Sequence, residues 1–137
     1  MYLLDTNVIS EMRRSRPNAA AVAWLTRIPG EQLFVAAVTL GELQAGVEMT
    51  RRQDPAKAAA IESWIDLVAA SYIVLPMDGP AFRQWAQLMH KRSSDLIEDA
   101  MIAATASVHG LTVVTRNVRD FERLGISVLN PFQRTEQ

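Results

Sequence analysis

The chain has 137 residues, 49% of them hydrophobic and 21% charged, and its 14 basic and 15 acidic residues leave a formal net charge of −1. This composition excludes a disordered or fibrous protein and a strongly basic nucleic-acid coat, while leaving room for a local basic patch. There is no cysteine, hence no disulfide framework and no thiolate metal site, so any metal must be held by oxygen ligands or by His90 and His109.

The length fits one domain over residues 1–137. No segment approaches the ~20 apolar residues that span a bilayer. Asp5 comes too early, with no basic segment before it, for a secretory leader. A cytoplasmic protein without membrane contact is the expectation. Apart from Lys57 and Lys91 every basic residue is Arg, whose planar fork suits phosphates and carboxylates.

Tyr2-Leu3-Leu4 reads as a strand and Asn7 to Arg14 as a short helix. Asn18 caps a second helix, running to about Arg27 and stopped by Pro29-Gly30. Leu33 to Val38 is an apolar run of strand length, after which Thr39 opens a helix to about Arg52. Asp54-Pro55 is a cap and first-turn proline for a helix to about Ala70. Tyr72 to Leu75 is a strand, and Asp78-Gly79-Pro80 starts a helix to about Arg92. Asp95 to His109 is a helix closed by Gly110. Thr112 to Thr115 and Ile126 to Leu129 are the last strands. Strands apolar on both faces and separated by helices predict an α/β fold, a three-layer sandwich around a mainly parallel sheet. Such sheets bind ligands beyond the carboxyl ends of their strands, where the helix N-termini also lie.

Four carboxylates map to that edge. Asp5 follows the first strand and fits equally an N-cap or a metal ligand. Glu42 completes a capping box with Thr39, and is also a carboxylate in the first turn after a strand. In the helix from Asp95, a wheel puts Glu98, Thr105 and His109 on one solvent stripe. Asp99 falls about 100° from that stripe, among Ile102, Ala103 and Ala106. A charge among small apolar residues is costly unless compensated. Asp95 caps this helix, with Glu98 completing a box, which leaves Asp99 unexplained. Asp120, just past a strand, reads by itself as a turn or cap. Gathering several carboxylates without a cation raises their pKa values and destabilises the fold, whereas Mg²⁺ prefers all-oxygen sites. Metal-assisted phosphodiester hydrolysis is the reaction class this set suggests.

Leu4-Asp5-Thr6-Asn7-Val8-Ile9-Ser10, Thr39-Leu40-Gly41-Glu42-Leu43 with Gly46, Asp99 to Ala106 with His109-Gly110-Leu111, and Val114-Thr115-Arg116-Asn117 through Asp120-Phe121 occur in order, followed by Leu129-Asn130-Pro131-Phe132. Together they resemble the PIN-domain ribonucleases, and specifically the VapC-type toxins of bacterial toxin–antitoxin pairs, including their FitB branch. The resemblance implies a catalytic quartet of Asp5, Glu42, Asp99 and Asp120, with Asp5, Asp99 and Asp120 holding Mg²⁺ or Mn²⁺. It implies supporting polar groups at Thr6, Asn7, Thr115 and Asn117. Asp95 is placed to share metal binding or to replace Asp99. A homodimer, a cognate antitoxin that blocks the acidic site, and structured RNA such as transfer RNA as substrate are implied as well.

Arg13, Arg14 and Arg16 follow the first motif, and Arg116, Arg119 and Arg123 follow the fourth. An Arg rim, Arg13, Arg14, Arg116 and Arg119 above all, would place an RNA backbone without reading its sequence. The wide apolar faces carrying Leu40, Leu43, Val47, Ile61, Trp64, Ile65 and Val68 suit core packing, with any excess free for a second copy or an antitoxin helix. His109 in the solvent stripe and His90 near a helix C-terminus are poor catalytic candidates. Three rival readings carry less. An aspartate-nucleophile phosphatase usually has a second Asp two positions on, where Asn7 stands. A receiver-like module needs a Lys after its last strands, and none follows Lys91. A catalytically silent PIN-like binding module would use the carboxylates only as caps.

Overall fold

Tyr2-Leu3-Leu4 forms a central strand because both of its leucines find a covered face. Leu3 is fully buried against one helical layer and Leu4 against the other. The computed structural model describes residues 1–92 and 94–133. Its elements are β1 (Tyr2–Leu4), α1 (Thr6–Glu11), α2 (Ala19–Arg27), β2 (Leu33–Ala36), α3 (Ala37–Arg51), α4 (Pro55–Ser71), β3 (Ile73–Leu75), α5 (Gly79–Met89), α6 (Ile97–His109), β4 (Thr112–Val114), α7 (Val118–Arg123) and β5 (Val128–Leu129). The five strands pair in parallel in the order β3-β2-β1-β4-β5. Leu3 stands beside Phe34 and Val113, and Leu4 beside Val35 and Val114. The predicted α/β sandwich is therefore the observed fold.

One layer sets Leu3, Ala36 and Val113 against the alanines of α6, Trp85 and Leu88 of α5, and the fully buried Phe121 of α7. The other sets Leu4, Val35 and Val114 against Val8 and Ile9 of α1, Trp24 of α2 and Val68 of α4. The α3–α4 hairpin has a small core of its own around Val47, Ala58 and Ile65. Among the described residues no helix is long and apolar enough to cross a membrane.

The side-chain caps expected at Asn18, Asp54 and Asp78 form, each accepting a hydrogen bond from a backbone N–H of the first turn at 3.0, 3.0 and 3.1 Å. Other expectations need correction. α3 begins at Ala37, directly off β2, and its N-cap is Ala36. The Thr39–Glu42 capping box therefore does not form, and Thr39 is fully buried inside the helix. The Asp95–Glu98 box is also absent: Asp95 is exposed in a 3-10 turn (Ser94–Leu96), and Leu96 occupies the N-cap of α6 without a side-chain bond. Thr105 does not face solvent. It is fully buried and its hydroxyl donates to the Met101 carbonyl at 2.9 Å, which satisfies it inside the helical layer. α1 ends at Glu11, short of Arg14, and α5 ends at Met89 rather than Arg92. α7 has no counterpart among the expected elements. It forms because Phe121 and Leu124 need burial under the sheet.

Gly110 closes α6 with φ +65, the left-handed conformation that glycine adopts freely. Apart from the glycine and its two chain neighbours, no heavy atom of the described residues lies within 4 Å of the position a Cβ would take there, so the cost of a side chain is backbone strain. Gly110→Ala is expected to destabilise by about 1 kcal/mol, lowering Tm by ~3–6 °C in a thermal melt.

Candidate active site

β1 and β4 are the two strands at which the sheet order reverses direction, and the crevice beyond their carboxyl ends is the expected ligand position. Asp5 leaves β1 there and is only 4% exposed. Its Oδ1 accepts the Thr6 N–H at 2.8 Å, capping α1. Its Oδ2 accepts the Thr115 hydroxyl from beyond β4 at 2.7 Å and the Asn7 Nδ2 at 3.1 Å. Thus Asp5 is an N-cap with one oxygen and a member of a polar cluster with the other. Thr115 Oγ1 in turn accepts from Asn7 Nδ2 at 3.3 Å and from the Asn117 backbone N–H at 2.9 Å.

Thr6 Oγ1 donates to Glu42 Oε1 at 2.7 Å and lies 3.0 Å from Thr39 Oγ1. A hydroxyl has one proton, so with the Thr6 proton on Glu42 the Thr39 hydroxyl is the donor between the two. Thr39, which by its sequence pattern is only a cap, instead braces the residue that orients Glu42.

Asp99 sits half-buried in the first turn of α6, and Glu98 beside it is exposed. Burial, followed by the charges of Asp5, Asp120, Glu42 and Glu98, pushes its carboxyl from 3.8 up to about 6. Burial also raises Asp5, against the opposing Thr115 and Thr6 hydrogen bonds. Glu42 is raised by burial, opposed by the Thr6 hydrogen bond and aided by the charges of Asp5 and Glu98. The structure thus brings Asp5, Glu42, Asp99 and Asp120 into one electrostatic neighbourhood. Asp95 is not among the charges that act on Asp99. Asn117 is exposed at the N-cap of α7.

Among the described residues, the ion pairs join Arg14 and Arg116 to Glu11 and Arg51 to Glu48 and Glu62, and none reaches the four carboxylates. Nor do three carboxylate or imidazole groups among the described residues converge tightly enough to cage a metal by themselves. An all-oxygen, uncompensated acidic set of this kind fits a hydrated Mg²⁺, which keeps several waters and takes only one or two carboxylates directly. Of the arginines at the rim, Arg13 lies with its guanidinium carbon 5.8 Å from the Trp64 ring centroid, and Arg116 stacks over Phe132 at 3.9 Å. Arg14, Arg16, Arg119 and Arg123 are exposed. Sequence reasoning passes over Glu11, a buried acid. Its available signal is Arg14, three residues further along the chain.

The PIN domain family matches residues 2–126. The chain belongs to that family. It is 37% identical to the VapC ribonuclease Y4jK of Sinorhizobium fredii, over 97% of this chain and 99% of the relative. It is 36% identical to the toxin FitB of Neisseria gonorrhoeae, over 96% of this chain and 99% of the relative. The crystal structure of FitAcB from Neisseria gonorrhoeae superposes with a TM-score of 0.86 at 34% identity, covering 98% of this PIN domain and 100% of that chain.

Proposed function

We propose that this PIN domain, one domain over residues 1–137, is a Mg²⁺-dependent endoribonuclease acting in the cytoplasm as the toxin of a toxin–antitoxin pair and cutting structured RNA such as transfer RNA. The observation that carries this reading is the uncompensated carboxylate set around Asp99, whose own carboxyl is pushed up to about 6. Carboxylates gathered in this way, with no basic side chain paired to them among the described residues, are relieved by a divalent cation. Asp5, Asp99 and Asp120 would hold Mg²⁺, or Mn²⁺ in its place, directly or through its retained waters. When bound, the ion lowers the pKa of a coordinated water and neutralises charge growing on the phosphate.

The protein's own groups do the positioning. Thr115 and Asn7 fix one oxygen of Asp5, so its carboxylate is oriented before any ligand arrives. Thr6, braced by Thr39, fixes Glu42. Glu42 is raised above its usual range, which suits it to accept a proton from attacking water. Arg13, Arg14, Arg116 and Arg119 are the cations suited to place the RNA backbone. Val8, Ile9, Met12, Leu25, Trp64 and Leu67 contribute to an apolar cleft of about 260 Å³ between α1, α2 and α4, which suits an antitoxin segment that reaches over and blocks the acidic edge. Phe82, 46% exposed on α5, offers apolar surface to a second copy in a homodimer.

The test is incubation of the purified protein with a total transfer RNA pool in Mg²⁺, Mn²⁺ or EDTA, with Asp5→Asn as the control for contaminating nuclease. Discrete fragments that require metal and vanish in the variant are expected. An intact pool under every condition would move the function to a catalytically silent binding module.

A further inference from the structure

Glu11, the last residue of α1, is a buried acid outside the carboxylate set described above. It is 4% exposed. Its Oε2 accepts the Asn18 backbone N–H at 2.8 Å. Its Oε1 meets Arg14 Nη1 at 3.3 Å and Arg116 Nη2 at 3.5 Å. The Asn18 N–H first, and then the two guanidiniums, lower its carboxyl from the ordinary glutamate value against the opposing effect of burial. The bond to Asn18 accounts for a brace between α1 and α2. It does not account for two guanidiniums, one of them contributed from 105 positions further along the chain.

Arg116 is held from two more directions. Its guanidinium carbon lies 3.9 Å from the centroid of the Phe132 ring. Its backbone N–H donates to Asn7 Oδ1 at 3.2 Å, and Asn7 Nδ2 donates to Asp5 Oδ2 at 3.1 Å. The position of Arg116 relative to the acidic edge is therefore set by a short chain of bonds. Two positive charges on one negative charge leave a net positive pair, with the Arg14 and Arg116 side chains 65% and 51% exposed. Each guanidinium has five N–H donors, and Glu11 takes up few of them. Beside Arg116 opens a cleft of about 470 Å³, lined in part by Asn117, Arg119, Asp120 and Asn130, that reaches the acidic set at Asp120.

We propose that Glu11 is a positioning residue that holds Arg14 and Arg116 as a two-armed clamp for an RNA phosphate flanking the cleaved bond, a proposal that rests on the ribonuclease reading above. A free Arg gives up rotamer freedom when it grips a phosphate, and an Arg already pinned in place gives up less. Glu11 contributes by ordering the two cations and touches no substrate itself.

The clamp is tested by cleavage kinetics on the RNA pool, across a salt series, for the whole protein and for Arg116→Ala, Glu11→Gln and the double variant. Arg116→Ala is expected to raise KM by ~5–10-fold with kcat within ~2-fold, and to make the salt dependence of kcat/KM shallower by about one ion. Glu11→Gln keeps an oxygen for Asn18 and makes the protein more positive, so a simple charge effect would lower KM. The clamp requires the opposite, a rise of ~3-fold or more, because the arms lose their anchor. The double variant is expected to fall short of the product of the two single effects, since Glu11 acts through Arg116. A KM for Glu11→Gln at or below that of the wild type overturns the proposal, as does an unchanged salt slope in Arg116→Ala. The Arg116 side chain lies at the surface, so that variant decides the matter if Glu11→Gln fails to fold. Absence of cleavage by the wild type would overturn the ribonuclease reading and the clamp with it, whereas wild-type cleavage with an unaltered KM in Arg116→Ala overturns the clamp alone.

Discussion

Asp99→Asn is expected to abolish RNA cleavage and, at the same time, to raise the melting temperature of the metal-free protein near neutral pH. The two effects have one origin. The carboxylate is pushed up to about 6 by burial and by four neighbouring acids, so its ionised form is a source of repulsion in the folded state. Taken at face value, a shift of that size is worth ~3 kcal/mol, but Asp99 is only half-buried, and solvent screening reduces this to about 1 kcal/mol. Asn has the same shape without the charge, so a Tm increase of ~3–5 °C in EDTA follows. Cleavage should fall by ~10³-fold or more, the consequence of losing about 4 kcal/mol of transition-state stabilisation at a metal-dependent centre. Glu98→Gln is the companion measurement. Glu98 is exposed on the neighbouring face, and its neutralisation should leave cleavage within ~3-fold. If Glu98→Gln proved as damaging as Asp99→Asn, the acid in the site would lie on the other face of α6. A Tm lowered or unmoved by Asp99→Asn would mean that the carboxylates do not repel one another.

The elements legible in the sequence are those governed by local rules. Apolar runs with no polar alternation mark the strands of a parallel sheet, and the Asn18, Asp54 and Asp78 caps locate three helix starts, because a cap is decided by a residue and the backbone three positions on. The same local rule misleads at Thr39 and Asp95. Each carries a capping pattern, yet α3 begins at Ala37, two residues before Thr39, and α6 begins only after Leu96, beyond Asp95. Thr39 serves the tertiary bond to Thr6 instead. α7 escapes a sequence reading because six residues show too little periodicity, and burial of Phe121 decides it. A helical wheel puts Thr105 in solvent because it encodes the spacing of residues but not which neighbours cover them. The convergence of Asp5, Glu42, Asp99 and Asp120 can be argued from topology alone, since every one lies just after a strand or in the first two turns of a helix at one sheet edge. The Glu11–Arg116 pairing cannot, because its partners are 105 positions apart and no local pattern links them.

Metal-free stability should respond to pH in the sense opposite to that of a salt-bridged carboxylate. The carboxyl of Asp99 is raised from 3.8 to about 6, so the folded state binds its proton more tightly than the unfolded chain does. The resulting penalty is complete above about pH 6, shrinks as pH falls below that value, and is gone near the unfolded value of about 4. Asp5 and Glu42, also raised, act in the same sense. Glu11 acts in the opposite sense, but its lowered carboxyl sacrifices stability only as pH falls below the ordinary value of 4.5, outside most of this window. Comparing the wild type with Asp99→Asn cancels every other titrating group that the substitution does not touch. The Tm difference between them should be largest near pH 7.5 and close progressively between about pH 6 and pH 4. Mg²⁺ held by these carboxylates would compete with the same protons, because its carboxylate ligands must be ionised. The Tm increase produced by Mg²⁺ in the wild type should therefore be present near pH 7.5, fade by about pH 5, and be lost in Asp99→Asn throughout. Thermal melts in EDTA and in excess Mg²⁺ across that range measure both effects. A wild-type-to-variant difference that stayed constant with pH would show that Asp99 titrates as an ordinary surface acid. A Mg²⁺ effect that survived Asp99→Asn would place the ion elsewhere.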